Sequence, residues 1–138
     1  MFQDVTLYHT LGWIIMLRMC LNVTTFHNVY WAQAMNILTS YSEEVCDRIS
    51  EAELHDDLLK TLSWDPLSAE KLNDRQSKAK RELVEHIVGI LHNVVRKSES
   101  ARDAFRRSHA VDVLDKLRDV TESQVRLRVY FIRFHIKT

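Results

Sequence analysis

From Trp31 the apolar side chains fall at Trp31, Ala34, Met35, Leu38 and Tyr41, the three-then-four spacing that places them on one face of a helix. Ser42 can cap the next segment, where Glu43 and Glu44 suit the positive end of a helix dipole and Val45, Ile49 and Ala52 give an apolar stripe. Leu54, Leu58 and Leu62 line a third helix that ends near Trp64. There Asp65 and Pro66 break the pattern and can act as cap and first turn of a new helical segment. The stretch from Ser68 to Arg81 is almost wholly polar and reads as a loop or a solvated helical extension. From Leu83 through Val95 the apolar residues cover most of a helix circumference, the mark of an element buried on several sides, and this helix is expected to run from Leu83 to Lys97. Ala101, Ala104, Phe105 and Ser108 mark a short successor, and Ala110, Val113, Leu114 and Leu117 another. The long, short, short order has then appeared twice.

An offset of about 56 positions lays the second half on the first without a gap. Ser42 meets Ser98, Glu43 meets Glu99, Asp47 meets Asp103, Leu58 meets Leu114 and Lys60 meets Lys116, while Met35 meets Leu91, Leu38 meets Val94 and Ile49 meets Phe105. The apolar faces of three successive helices stay in phase, as in a repeat. The offset exceeds the roughly 40 to 47 residues usual for a two- or three-helix repeat unit. A polar insertion at about 65–81 supplies the surplus, at little expense because loop-closure entropy grows slowly with length.

The two ends are less regular. Leu11 to Leu21 is the most apolar run, but His9 and Arg18 bracket too short a stretch for a membrane span, so a buried helix is expected there. Thr121 and Gln124 have capping-box spacing before a last segment in which Val125, Leu127, Val129 and Phe131 alternate with Arg126, Arg128 and Tyr130. That alternation has strand periodicity, yet a lone strand would find no partner, and helix is the expectation.

Composition supports helices. Two Gly and one Pro in 138 residues leave almost no supply of tight turns for a sandwich or barrel. Lys plus Arg and Asp plus Glu balance at 19 each, so no net field favours nucleic acid or an anionic membrane. Cys20 and Cys46 have neither metal-finger spacing nor the numbers for a disulfide framework, which fits a reducing, cytoplasmic setting, and the sequon at Asn22, Val23 and Thr24 has no meaning there.

The string from Ile87 to Leu117, IVGILHNVVRKSESARDAFRRSHAVDVLDKL, resembles armadillo repeats, and Trp31 to Leu62 looks like a more divergent copy. The resemblance implies an all-α, right-handed α-α superhelix of armadillo type, one domain over 1–138 with about two to three repeats. In that family two short helices precede a longer third one, and successive third helices line a concave groove that holds a protein or peptide. The family's groove asparagine falls on Asn93. Gly89 stands where peptide-binding members carry tryptophan, and Glu53 and His109 stand where glycine is usual between the two short helices.

Candidate chemistry changes this picture little. His86 and His92 lie on different sides of their helix, and His55, Asp56 and Asp57 are neighbours that do not face one another. No nucleophile elbow, phosphate-cradling glycine loop or kinase signature is present, so no catalytic residue, metal or cofactor is expected. The expected function is a non-catalytic protein-interaction scaffold, with Asn93, His92 and Arg96 as contact residues on the third helix and no small-molecule substrate. The alternative is a phosphate or nucleic-acid scaffold using the basic corner of Arg96, Lys97, Arg102, Arg106 and Arg107, where Ser98 could also accept a phosphate. Repeat stacks need polar caps, and this chain begins and ends in apolar segments, so a fragment of a larger stack or self-association through those ends is also expected.

Overall fold

The computed structural model describes residues 25–63, 74–108, 110–118 and 123–137, and among them the regular structure is entirely helical. In chain order the helices are α1 (Thr25–Tyr41), α2 (Glu43–Glu51), α3 (Leu54–Ser63), α4 (Asp74–Lys97), α5 (Glu99–Arg107), α6 (Ala110–Arg118) and α7 (Ser123–Lys137). The run Leu11 to Leu21, Cys20, the sequon, residues 64–73, His109 and Thr121 lie outside the described residues.

The internal repeat is visible in the helix ends. Ser42 and Ser98 are both extended N-caps, and each hydroxyl oxygen accepts a backbone N–H at 3.2 Å, from Val45 and Ala101 respectively. This satisfies one of the donors that a helix start leaves over. Helices α2 and α5 begin and end at corresponding residues, as do the C-termini of α1 and α4. Met35 and Leu91, Ile49 and Phe105, and Leu58 and Leu114 are fully buried pairs in that register. Even a side-chain contact repeats, since Cys46 Sγ reaches back to Thr39 O at 3.4 Å while Arg102 Nη1 donates to Val95 O at 2.9 Å.

Two elements depart from the expected boundaries. Helix α4 starts at Asp74 rather than Leu83, so the described part of the polar stretch is a helical extension, and it is not wholly solvated because Ala79 and Lys80 are buried. Helix α7 has 15 residues and explains its own strand-like alternation. Val125, Val129, Ile132 and Ile136 form one buried stripe at helical spacing, and Leu127, Tyr130, Phe131 and Phe134 form a second, exposed one. Two apolar stripes on one helix interleave in sequence and imitate a period of two. Among the described residues no helix is long and apolar enough to cross a membrane.

Helix α4 is the centre of the core. It packs against α1 on one side and α7 on the other, and its width keeps the backbones of α1 and α7 apart. Its Ile87, Val88, Ile90, Leu91, Val94 and Val95 are all fully buried. Each such aliphatic side chain contributes about 1.5–3 kcal/mol by leaving water. The short pairs α2–α3 and α5–α6 close the other side, joined by α2 on α5 and α3 on α6. There His55 of α3 lies against Phe105 of α5 with ring centroids 5.4 Å apart. His55 also brings Nε2 to 3.5 Å from Asp56 Oδ1, a contact between sequence neighbours that helix geometry does not favour and that burial of the imidazole imposes.

The corner between α2 and α3 carries backbone strain. Glu53, at the position where the armadillo resemblance places glycine, has φ 56°, in the left-handed region. A side chain there costs about 1–2 kcal/mol relative to a right-handed conformation. Glu53→Gly is expected to raise the unfolding free energy by about 0.5–1 kcal/mol, the relief of strain being partly offset by the freer unfolded chain. Urea unfolding of the two proteins measures it, and an unchanged or lower midpoint would show that the corner is not strained.

Candidate interaction surface

Specific side-chain contacts set how the three long helices lie. Asn36 of α1 meets Asn93 of α4, Lys97 Nζ donates to Ser40 O, Arg128 of α7 lies over Gly89, and Phe131 stacks on His92. Paired positions rise together along each helix, so α1, α4 and α7 run parallel.

Asn93 is buried, and its amide is turned towards α1. Nδ2 donates to Asn36 O at 3.1 Å, Asn36 Oδ1 at 3.1 Å and Thr39 Oγ1 at 3.0 Å. Two amide hydrogens shared among three acceptors leave that group no donor for a ligand. Thr39 in turn donates to Met35 O at 2.8 Å, one turn back in its own helix. Cys46 completes the cluster, with Sγ 3.4 Å from Thr39 O and 3.8 Å from Asn93 O. Burial pushes its thiol up to about 11, with Lys97 acting against the shift, so it is an inert core thiol at neutral pH. Asn93 thus positions α4 relative to α1.

His92 and Arg96, one turn apart on α4, stand at the open surface. Arg96 is exposed and His92 half-buried, its ring stacked on Phe131 at 5.8 Å and 13° with the His135 ring at 6.3 Å. Burial lowers the His92 pKa to about 4, and the positive charges of Arg96, Arg128 and His135 push the same way. The surface at the α4–α7 seam therefore combines a neutral imidazole, two guanidinium groups and an aromatic ring.

Gly89 makes the seam possible. A Cβ at this position would collide with the Arg128 guanidinium and stand 2.6 Å from the Asn36 amide. The space beside Gly89 is taken by side chains from both neighbouring helices. Arg128, Phe131 and His135 were beyond sequence reasoning because the alternation of α7 concealed which of its residues share a face.

The basic corner is built differently from a phosphate site. Lys97 Nζ donates to Ser40 O near the end of α1, Arg102 Nη1 to Val95 O and Arg96 O at the end of α4, and Arg106 Nε to Ile136 O at the end of α7. Arg106 Nη1 is also 2.6 Å from Asp103 Oδ1. Three of the five cations thus serve the carbonyls that helix C-termini leave over, where positive charge also complements the dipole. Ser98 is 1% exposed and its hydroxyl caps α5. That corrects its reading as a phosphate acceptor, since the oxygen is enclosed and engaged.

On the opposite side, an open cleft of about 770 Å³ separates the α2–α3 corner from the α5–α6 corner. Its charged lining mixes Glu51, Glu53 and Asp56 with Lys60 and Arg107 and selects no ligand class. No protein-family model, curated protein or solved structure matches the chain.

Two measurements test this geometry. Asn93→Ala is expected to lower the unfolding free energy by about 1–3 kcal/mol, because Thr39 and Asn36 lose their buried donor; a loss under about 0.5 kcal/mol in urea would mean that the cluster does not hold α1. Since the folded-state pKa of His92 lies below that of a free imidazole, the unfolded chain takes the proton first. The stabilisation is whole above about pH 6.5, is lost as the pH falls towards 4 and changes no further below that. The difference between the native chain and His92→Gln across this window is expected to be about 2–3 kcal/mol, and parallel pH profiles would place His92 in open solvent.

Proposed function

We propose that the chain is a non-catalytic protein-interaction scaffold of armadillo type, a right-handed superhelix whose partner lies along the concave face of α1, α4 and α7. The armadillo assignment is supported by the repeated order of two short helices and one long one, by the parallel third helices, and by the left-handed backbone at Glu53. The observation that carries the function is the α4–α7 seam, where exposed Arg96 and the stacked His92 and Phe131 stand together with Arg128. An exposed aromatic ring flanked by guanidinium groups has the composition of an interaction hot spot. Its charge selects carboxylate-bearing protein segments. His92 and Arg96 are contact residues in this reading, and Asn93 acts through the placement of α1.

The phosphate or nucleic-acid alternative has less support, because Lys97, Arg102 and Arg106 are committed to helix ends. Selection of peptides from a random library on the immobilised full chain separates the two. Acidic sequences with an apolar or aromatic anchor are expected, with affinity reduced at least about tenfold by Arg96→Glu and by Phe131→Ala. Duplex DNA bound with a steep salt dependence and indifferent to Phe131→Ala, with no peptide enriched, would overturn the proposal in favour of the alternative.

A further inference from the structure

The third-helix interface occurs twice among the described residues, between α1 and α4 and between α4 and α7, and its register carries over to the exposed faces of α1 and α7. Phe131 on α7 takes the place that His92 takes on α4, and Arg128 stands opposite Gly89. Val88 and Val95 share a helical face with His92, and Leu91 lies between them at the same spacing. All three are fully buried on the side where α7 packs. Their counterparts on α7 are Leu127, Tyr130 and Phe134, and each is more than half exposed.

The other edge is set by the repeat that pairs Ser42 with Ser98. On α4, Asn93 and Lys97 reach across to α1. Their counterparts on α1 are Ile37 and Tyr41, and the counterpart of His86 on the same face is Tyr30. These too are more than half exposed, Tyr41 as much as 84%. Among the described residues α1 thus exposes the positions by which α4 meets α1, and α7 those by which α4 meets α7. Apolar stripes of this extent mark an interaction site on a folded protein.

We propose that these two edges are complementary and that the chain stacks head to tail, α7 of one copy seating on α1 of the next and continuing the α1–α4–α7 row across molecules. The occupant is a second copy of this chain. Continuity with an interface already made twice is one argument, and charge is the other. Helix α7 carries four basic residues and no acid, which sets it against its own copy in a symmetric pairing. Helix α1 carries no Asp, Glu, Lys or Arg and offers it no repulsion. The contact is heterologous, joining two different surfaces, so it grows into open-ended chains unless rotation closes a ring. It uses the edges of the row, while the proposed partner surface lies on its face.

Complementation between edge variants tests this with the full chain in sedimentation velocity. The native protein is expected to increase in mass with concentration. Ile37→Glu, which blocks the α1 edge, and Tyr130→Glu, which blocks the α7 edge, should each be monomeric. An equimolar mixture of the two should form a 1:1 dimer and nothing larger, because each copy keeps one working edge. Tyr41→Glu and Leu127→Glu form a second pair if thermal melts show either first variant to be unfolded. A native chain monomeric up to hundreds of micromolar overturns the proposal and leaves the edges to a different protein. So do variants that stay monomeric when mixed, or an assembly abolished by Tyr130→Glu and untouched by Ile37→Glu, the mark of symmetric α7 pairing.

Discussion

Everything in this molecule depends on α4 lying between α1 and α7 with its apolar circumference closed on both sides. Its six fully buried aliphatic residues from Ile87 to Val95 supply the main driving force. Burial by itself has no direction, however, and would accept α1 at several rotations. The rotation and register come from the Asn93 amide divided among Asn36 and Thr39, and from Lys97 on the last turn of α1. On the other side Gly89 performs the same task by omission, leaving the gap into which Arg128 and Asn36 extend. A polar group that must be satisfied is more selective than an apolar one.

The charges obey the same economy of position. The densest basic run in the chain sits where three helix C-termini converge, and Lys97, Arg102 and Arg106 each reach one of them. Arg133 Nη1 pairs with Asp115 Oδ1 at 3.0 Å, holding α7 against α6, a contact worth little on its own because half-exposed ion pairs are screened. Arg96 and Arg128 stand instead beside the α4–α7 seam. There burial, helped by the charges of Arg96 and Arg128, keeps His92 neutral, so the positive character of the α4–α7 seam rests on the two guanidinium groups.

A repeat architecture repeats its needs as well as its contacts. Among the described residues α4 buries one side against α1 and the other against α7, and positions in the same register on α1 and α7 are apolar as well. Tyr30, Ile37 and Tyr41 on α1 and Leu127, Tyr130 and Phe134 on α7 are each more than half exposed. Aromatic residues suit such positions because tyrosine tolerates water at one end and packs at the other.

Much of this architecture was legible in the sequence because its causes are local. The capping serines Ser42 and Ser98, the helical spacing of Met35, Ile49, Leu58 and their counterparts, and the shortage of glycine and proline are read within a turn or two of chain. They led to the helices α2, α3, α5 and α6 and to the repeat register. The armadillo resemblance also singled out Asn93, with His92 and Arg96 beside it on the same helix. Only the tertiary structure decided what these residues do. Whether Asn93 faces a ligand or α1, whether Lys97 and Arg102 are free or at helix ends, and which stripe of α7 is buried all depend on neighbours distant in sequence. A single helix carries two candidate faces, and the choice between them is made by the helix that arrives to cover one.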